Sequence, residues 1–313
     1  MEFLTVSLLN GVIYGLLLFM VSAGLTLIFG MMGVLNFAHA SFYMVGAYLA
    51  YTLQKYVGFV GAVLLSTVLV GLIGVIVERF FLRRVHKYGH AHELLLTFGL
   101  TFIIVELIKL FYGNFSVEYR VPEFLNFAAF QVFSTDYPFY RLLMGIVSLL
   151  VFALIYLLLT RTRVGIVVRA AIHRPQMAEA LGHNVPLVFM AVFGIGAALA
   201  GLAGALAGAF YTTNPNMALE LGVIVFVVVV VGGLGSMAGA MVASLLIGLI
   251  SSFAVGVDLS LASVFGLFGA GEWAQQMGGL MTLKVSSVAA TIPFALMLLI
   301  LLIRPSGLMG EKG

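Results

Sequence analysis

Apolar runs of about 20 residues recur along this chain, each long enough to cross a hydrocarbon core of about 30 Å at about 1.5 Å of helix per residue. That feature removes most folds from consideration, because a segment in lipid must satisfy its own backbone, and a helix does so internally. Charge agrees with the pattern. Only 9% of the residues are charged and 63% are hydrophobic, whereas soluble domains carry about 25% charge. The expected fold is an all-α polytopic membrane protein with about 8–9 transmembrane helices in a single domain over the whole chain. There is no cysteine, which excludes disulfides, thiolate metal sites and cysteine nucleophiles.

In order, the expected spans are 3–29, 35–53, 57–81, 94–112, 138–159, 185–211, 237–255 and 288–303. The run 221–231 is shorter and stays open between a full span and a re-entrant half-helix. The first run follows Met1-Glu2 without a basic leader and exceeds the core of a signal peptide, so it reads as a span. Arg79, Arg83, Arg84, Lys87, Arg161, Arg163, Arg169, Arg174, Arg304 and Lys312 then fall on one side of the membrane. Lys55, Lys109, Arg120, Arg141 and Lys284 fall on the other. The positive-inside bias places the N-terminus outside and the C-terminus in the cytoplasm. It also accounts for the net charge of +3 without nucleic acid.

The most polar stretch between two spans is 161–184. Pro175 is excluded from a helix interior but favoured at a first helical position, so the stretch reads as two short helices, 165–172 and 175–181, with Gly182 as a left-handed cap. Met177, Ala178 and Leu181 share one small apolar face. Such a face fits a groove on another protein or a layer of lipid head groups, and spacing alone does not choose.

Other residues carry paired readings. Asn36, His39 and Ser41 open the second span, where they either line a solute path or satisfy a broken helix entrance. Ala200, Gly204 and Gly208, like Ala240, Ser244 and Gly248, place small residues at every fourth position, which lets membrane helices approach closely, for static packing or for motion. Gly233 and Gly235 are either a hinge or a tight connection. Glu106 and Lys109 are an intramembrane ionisable pair, a functional candidate by default or an ion pair on a helix surface. His86, His90 and His92 lie close together but lack further ligands, so a solvated loop is expected rather than a metal site. No Ser/His/Asp arrangement emerges, no catalytic residue is expected, and no phosphate-binding loop is present.

Several motifs occur in a fixed order: Asn36-Phe37-Ala38-His39, Gly165-x-x-x-Arg169-Ala170, Met177-Ala178-x-x-Leu181-Gly182, Asn214-Pro215, Gly232-Gly233-x-Gly235-Ser236 and Arg304-Pro305-x-Gly307-Leu308. Together they resemble the LivH-type permeases, the membrane subunits of bacterial ATP-binding-cassette importers for branched-chain amino acids. Two features depart from the family pattern: Arg174, where an acidic or amide residue is usual, and the long loop 256–284 with Glu272 and Trp273.

The resemblance implies a multi-pass, non-catalytic permease of the bacterial inner membrane. It implies two cytoplasmic ATPase subunits that bind ATP and Mg on their own chains, a second homologous permease, a periplasmic substrate-binding protein and surrounding lipid as partners. No cofactor in this chain is implied. Gly165, Arg169, Ala170, Met177, Ala178, Leu181 and Gly182 would then form the ATPase-coupling loop. Related systems carry urea, short amides or aromatic acids. An ion-coupled secondary transporter is the rival class, but it requires ionisable residues at the midplane, where only Glu106 is on offer. A passive channel leaves the coupling loop unexplained.

Overall fold

A computed structural model describes residues 2–133, 135–173, 175–257, 259–260, 262–263, 265 and 271–310. Arg174, Asp258 and Lys312 lie outside the described residues. The order is α1 (Glu2–Met32), α2 (His39–Val77), a π-helical turn (Glu78–Leu82), α3 (Arg83–His86), α4 (His90–Tyr112), strands β1 (Ala128–Val132) and β2 (Thr135–Pro138), α5 (Phe139–Arg161), α6 (Arg163–His173), α7 (Pro175–Ala180), α8 (Val185–Phe210), α9 (Met217–Gly232), α10 (Met237–Gly256), α11 (Gly271–Met277) and α12 (Ile292–Ile303). Seven helical stretches are long and apolar enough to cross a membrane, and α9 is a shorter apolar helix.

One of those seven does double duty. A Cβ placed on Gly46 would lie 2.6 Å from Gly201 Cα, and one on Gly201 would lie 2.7 Å from Val70 Cβ. Gly46 and Val70 therefore flank the same residue, although in a straight helix they would stand about 36 Å apart. The chain reverses at Gly58, whose φ of 72° leaves the helical region and suits a residue without a Cβ. The arms 39–57 and 59–77 lie side by side on α8. They correspond to the second and third expected spans.

Contacts fix the relative directions of the other helices. Gly11 and Gly15 of α1 meet Leu249 and Leu245 of α10, and Gly30 meets Gly235, so α1 and α10 are antiparallel. Gly145 packs on Ile13 and Phe152 on Phe19, so α5 runs with α1. Gly24 abuts Gly196, while Met32 packs in the same cluster as Val188, so α8 runs against α1. Past α12, Leu308 N–H donates to the Val231 carbonyl at 2.8 Å, so α12 runs with α9. Direction alternates along the chain, and α9 joins opposite ends of its neighbours rather than returning to the side it came from.

Two faces result. On one lie residues 78–89, the α6–α7 segment, the turn 233–236 and the hook 304–310: Arg83 donates to the Pro186 carbonyl at 2.8 Å, and Gly307 abuts Gly233. On the far face lie 113–138 and 211–216, joined by a bridge between Val117 and Thr213. The described basic residues segregate as their positions in sequence require.

The far face also holds a two-stranded sheet, a departure from an all-α description. Beyond the expected span 94–112, Ala128–Val132 and Thr135–Pro138 form an antiparallel hairpin, with Phe130 opposite Tyr137 and Val132 opposite Thr135. A stacked pair, Phe130 on Tyr137 at 5.3 Å, illustrates the cross-strand contact that stabilises such ribbons.

Small residues set the spacing at the centre. A Cβ on Gly204 would fall 1.8 Å from the Tyr43 carbonyl oxygen, and one on Gly248 2.4 Å from Gly15 N. These are backbone-on-backbone contacts, with no side chain able to swing aside. Gly99, by contrast, has nothing within 4 Å of its Cβ position. Gly204→Ala is expected to destabilise the protein by about 1–3 kcal/mol through overpacking, while Gly99→Ala leaves stability equal or higher. Thermal melting in detergent of the two variants beside the parent measures the contrast; equal loss at both sites would refute it.

Candidate functional site

The α6–α7 segment is tied to the bundle by its own polar atoms. Thr162 ends α5 and caps α6, its Oγ1 accepting from Gly165 N at 3.1 Å. Gly165 is then pressed against α5: a Cβ there would lie 2.3 Å from the Leu159 carbonyl oxygen and 2.4 Å from that of Leu158. Arg169, one helix turn on, donates from Nη1 to the same Leu159 carbonyl. Carbonyls in the last turn of a helix lack intrahelical partners and attract cations. Arg169 thus meets a need of α5, whereas Ala170 is exposed.

The second short helix ends as its sequence requires. Gly182 has φ 88°, His183 N–H donates to the Ala178 carbonyl at 3.0 Å and Gly182 N–H to that of Glu179 at 2.9 Å, the paired bonds of a Schellman cap. The single apolar face expected for Met177, Ala178 and Leu181 is divided. Ala178 is buried against Ala171 and Val185, while Met177 is 58% and Leu181 77% exposed. A short helix turns one side to its own protein and leaves the other bare, and the spacing of 177, 178 and 181 straddles that boundary.

Two carboxylates not singled out in the sequence anchor this same face. Glu78 is buried and receives Arg83 through two nitrogens, at 3.1 and 2.7 Å. Because Arg83 also holds the Pro186 carbonyl, the pair fastens the end of α2 to the start of α8. Glu93 is buried as well. His86 Nδ1 meets one of its oxygens, and His90 Nδ1 lies 3.1 Å from the other. The histidines expected in a solvated loop are therefore two clasps on a buried carboxylate, with only His92 left out of the arrangement. Among the described residues no group suits a metal ion.

The polar trio at the start of α2 is buried in full. Asn36 Oδ1 accepts from Ala38 N at 3.0 Å, which shapes the entrance turn, and His39 Nε2 lies 2.9 Å from the Val21 carbonyl, tying α2 to α1. Asn36 Nδ2, His39 Nδ1, Ser41 Oγ and the nearby Thr26 Oγ1 have no protein partner. Asn36 and His39 line a cavity of about 20 Å³, space for one water. Glu106 and Lys109 pair with each other at 2.7 Å, with Glu106 turned outward. Gly208 meets Ala47, and Gly233 and Gly235, both with positive φ, pack on Gly310 and Gly30.

A larger cavity of about 690 Å³ opens toward the far face between α1, α9, α10, the start of α5 and the start of α12. Its lining is mostly apolar, with Asn10, Tyr14, Arg141, Tyr211 and Ser251 among it. Burial holds the Tyr211 phenol above its ordinary pKa, and the charge of Arg141 opposes that shift. The sequence signal here was a cation three residues into an expected span, assigned there to the charge bias alone.

The fold defines a polytopic α-helical membrane protein. The family described as branched-chain amino acid transport system permease component matches residues 7–303, and the chain belongs to it. LivH of Salmonella typhimurium, a high-affinity branched-chain amino acid transport system permease protein, is 27% identical over 96% of this chain and 94% of its own length. BraD of Pseudomonas aeruginosa, of the same description, is 28% identical over 97% and 95%. A probable LivH of Methanocaldococcus jannaschii is 28% identical over 82% of each. No solved structure matches.

Arg83→Ala is expected to lower thermal stability more than the double change Glu78→Leu with Arg83→Ala, because the single change strands a buried carboxylate and the double one removes it. Melting temperatures of the four members of that cycle give the comparison, and a double variant no more stable than Arg83→Ala would count against it.

Proposed function

We propose that this chain is the permease subunit of an ATP-driven importer of branched-chain or other hydrophobic amino acids in a bacterial inner membrane, acting as one transmembrane domain of about nine crossings with its N-terminus outside. The face bearing α6 and α7 is cytoplasmic, since most Lys and Arg residues gather there and the positive-inside bias favours that side. The substrate class rests on what the relatives are named to carry. Catalysis is absent from the role: two separate ATPase subunits bind ATP and Mg, and a periplasmic protein delivers substrate to the far face. A second, homologous permease completes the path.

The observation that carries the reading is the pairing of Met177 and Leu181, bare on the basic face, with an α6 clamped to α5 by Gly165 and Arg169. A small apolar surface on a rigid mount suits a groove in a soluble partner. ATPase closure would press on that mount and bias the bundle between outward- and inward-open states, a switch of packed elements. Arg169 and Gly165 act as mounts, Met177 and Leu181 as contacts, and Ala178 as the buried heel of α7.

Leu181→Asp is expected to reduce recovery of ATPase subunits with the tagged permease by at least about tenfold, the scale of losing a buried apolar contact, while the elution profile in mild detergent stays unchanged. Mass spectrometry of the affinity-purified complex from native membranes reads both points. Full ATPase recovery with Leu181→Asp, or no ATPase with the parent even after gentle cross-linking, would overturn the reading.

A further inference from the structure

We infer that the far-face cavity is an amino-acid binding site in which Arg141 receives the substrate's carboxylate, an inference that rests on the functional reading just given. Arg141 differs from Lys109, Arg120 and Lys55 on the same face. Lys109 is paired with Glu106 and Arg120 with Glu118, and Lys55 rests over the Tyr51 ring. Arg141 lines the cavity, and among the described residues no carboxylate lies within 4.0 Å of it. What holds it is neutral: Nη1 donates to Asn10 Oδ1, and its guanidinium lies 4.9 Å from the Phe210 ring centroid and 5.9 Å from that of Tyr137.

That arrangement orients a guanidinium without neutralising it. The planar fork retains donors for a bidentate acceptor, the geometry that a carboxylate matches. The rest of the lining fits the remainder of an amino acid. Tyr14 and Tyr211 bring hydroxyl oxygens that accept from an ammonium group, and Ile13, Ile224 and Pro293 offer apolar walls to an aliphatic side chain. A volume of about 690 Å³ lies within the range of small-molecule sites. Among the described lining residues Arg141 is the one charged side chain, and a cation in a largely apolar space selects a zwitterion with an apolar body over a polyanion or a polar sugar.

The site is also placed to be used. It opens toward the face at which substrate arrives in the proposed orientation, and α1, α9 and α10, which wall it, continue down to the turn 233–236 on the opposite side. Asn10, bonded to Arg141, is a positioning residue.

The absence of native cysteine supplies a direct test. Ser251→Cys places the chain's one thiol in the cavity wall, and the assembled transporter carrying it is reconstituted in proteoliposomes, where leucine uptake and maleimide labelling of this chain are both followed. Leucine is expected to slow labelling at least threefold, and 3-methylbutylamine, which lacks the carboxylate, to leave it unchanged. Adding Arg141→Ala abolishes the protection by leucine, and Arg141→Lys restores part of it.

If leucine is taken up but labelling is unaffected by it, or is slowed equally with Arg141→Ala, the cavity site is overturned and the importer reading stands. If labelling responds to anionic instead of neutral lipid and not to leucine, Arg141 holds a lipid head group and the inference falls. If the parent complex takes up no leucine while it takes up another solute, the substrate class itself is wrong and the site falls with it.

Discussion

Everything in this bundle depends on backbones being allowed to touch. Inside a bilayer, burying apolar side chains against one another gains little over leaving them in lipid, so helices adhere through close packing and hydrogen bonds. The centre of α8 meets that condition with Gly201, Gly204 and Gly208 set against both arms of α2. Gly11 and Gly15 of α1 do the same against Ser244, Leu245 and Gly248 of α10. These two seams share α1 and α8 as neighbours through Gly24 and Gly196. Three glycine contacts thus join α2, α8, α1 and α10 in series, and the remaining helices are added to that spine.

Polar contacts then lock the spine at its ends. On the basic face, Glu78 with Arg83, Glu93 with two histidines, and Arg169 on the Leu159 carbonyl each connect elements distant in sequence or direction. On the far face, Tyr119 and Tyr140 donate to the carbonyls of Ala205 and Leu206 at 2.7 Å, and Arg141 reaches Asn10. The middle relies on shape, and the ends rely on charge and hydrogen bonding, as a low-dielectric core flanked by water demands.

Much of this was legible because the membrane imposes a length and a charge rule on any crossing chain. The break between the second and third spans was expected between residues 53 and 57, and Gly58 makes it. The cap at Gly182 and the split at Pro175 follow from backbone chemistry that single residues dictate. What escaped was how side chains pair across helix ends and turns. Nothing local to Glu93 says that His86 and His90 will close on it, and Glu78 appears as one more charge at a span end until Arg83 folds back. The hairpin at 128–138 was hidden because its strands are short and its phenylalanines read equally as loop residues near an interface. Ala178 was misplaced relative to Met177 because α7 is too short for periodicity to reveal which side it buries. Arg141 was assigned only to orientation, because a lone cation at a span end carries no sign of the cavity that four other helices build around it.

The helix α5 has a consequence that reaches across the whole molecule. It is an unbroken run of 23 residues, about 34 Å long, carrying Arg141 in its first turn and delivering its last carbonyls to Gly165 and Arg169. No proline or positive-φ glycine interrupts it, so it has no joint at which a displacement is absorbed. It behaves as a rod gripped at both ends by arginine chemistry. A tilt imposed on α6 reaches the Arg141 guanidinium as a change of position relative to Asn10, which rides on a different helix. On the proposed function, work done on the basic face would be carried to the Arg141 guanidinium on the other, with a single stiff element between them.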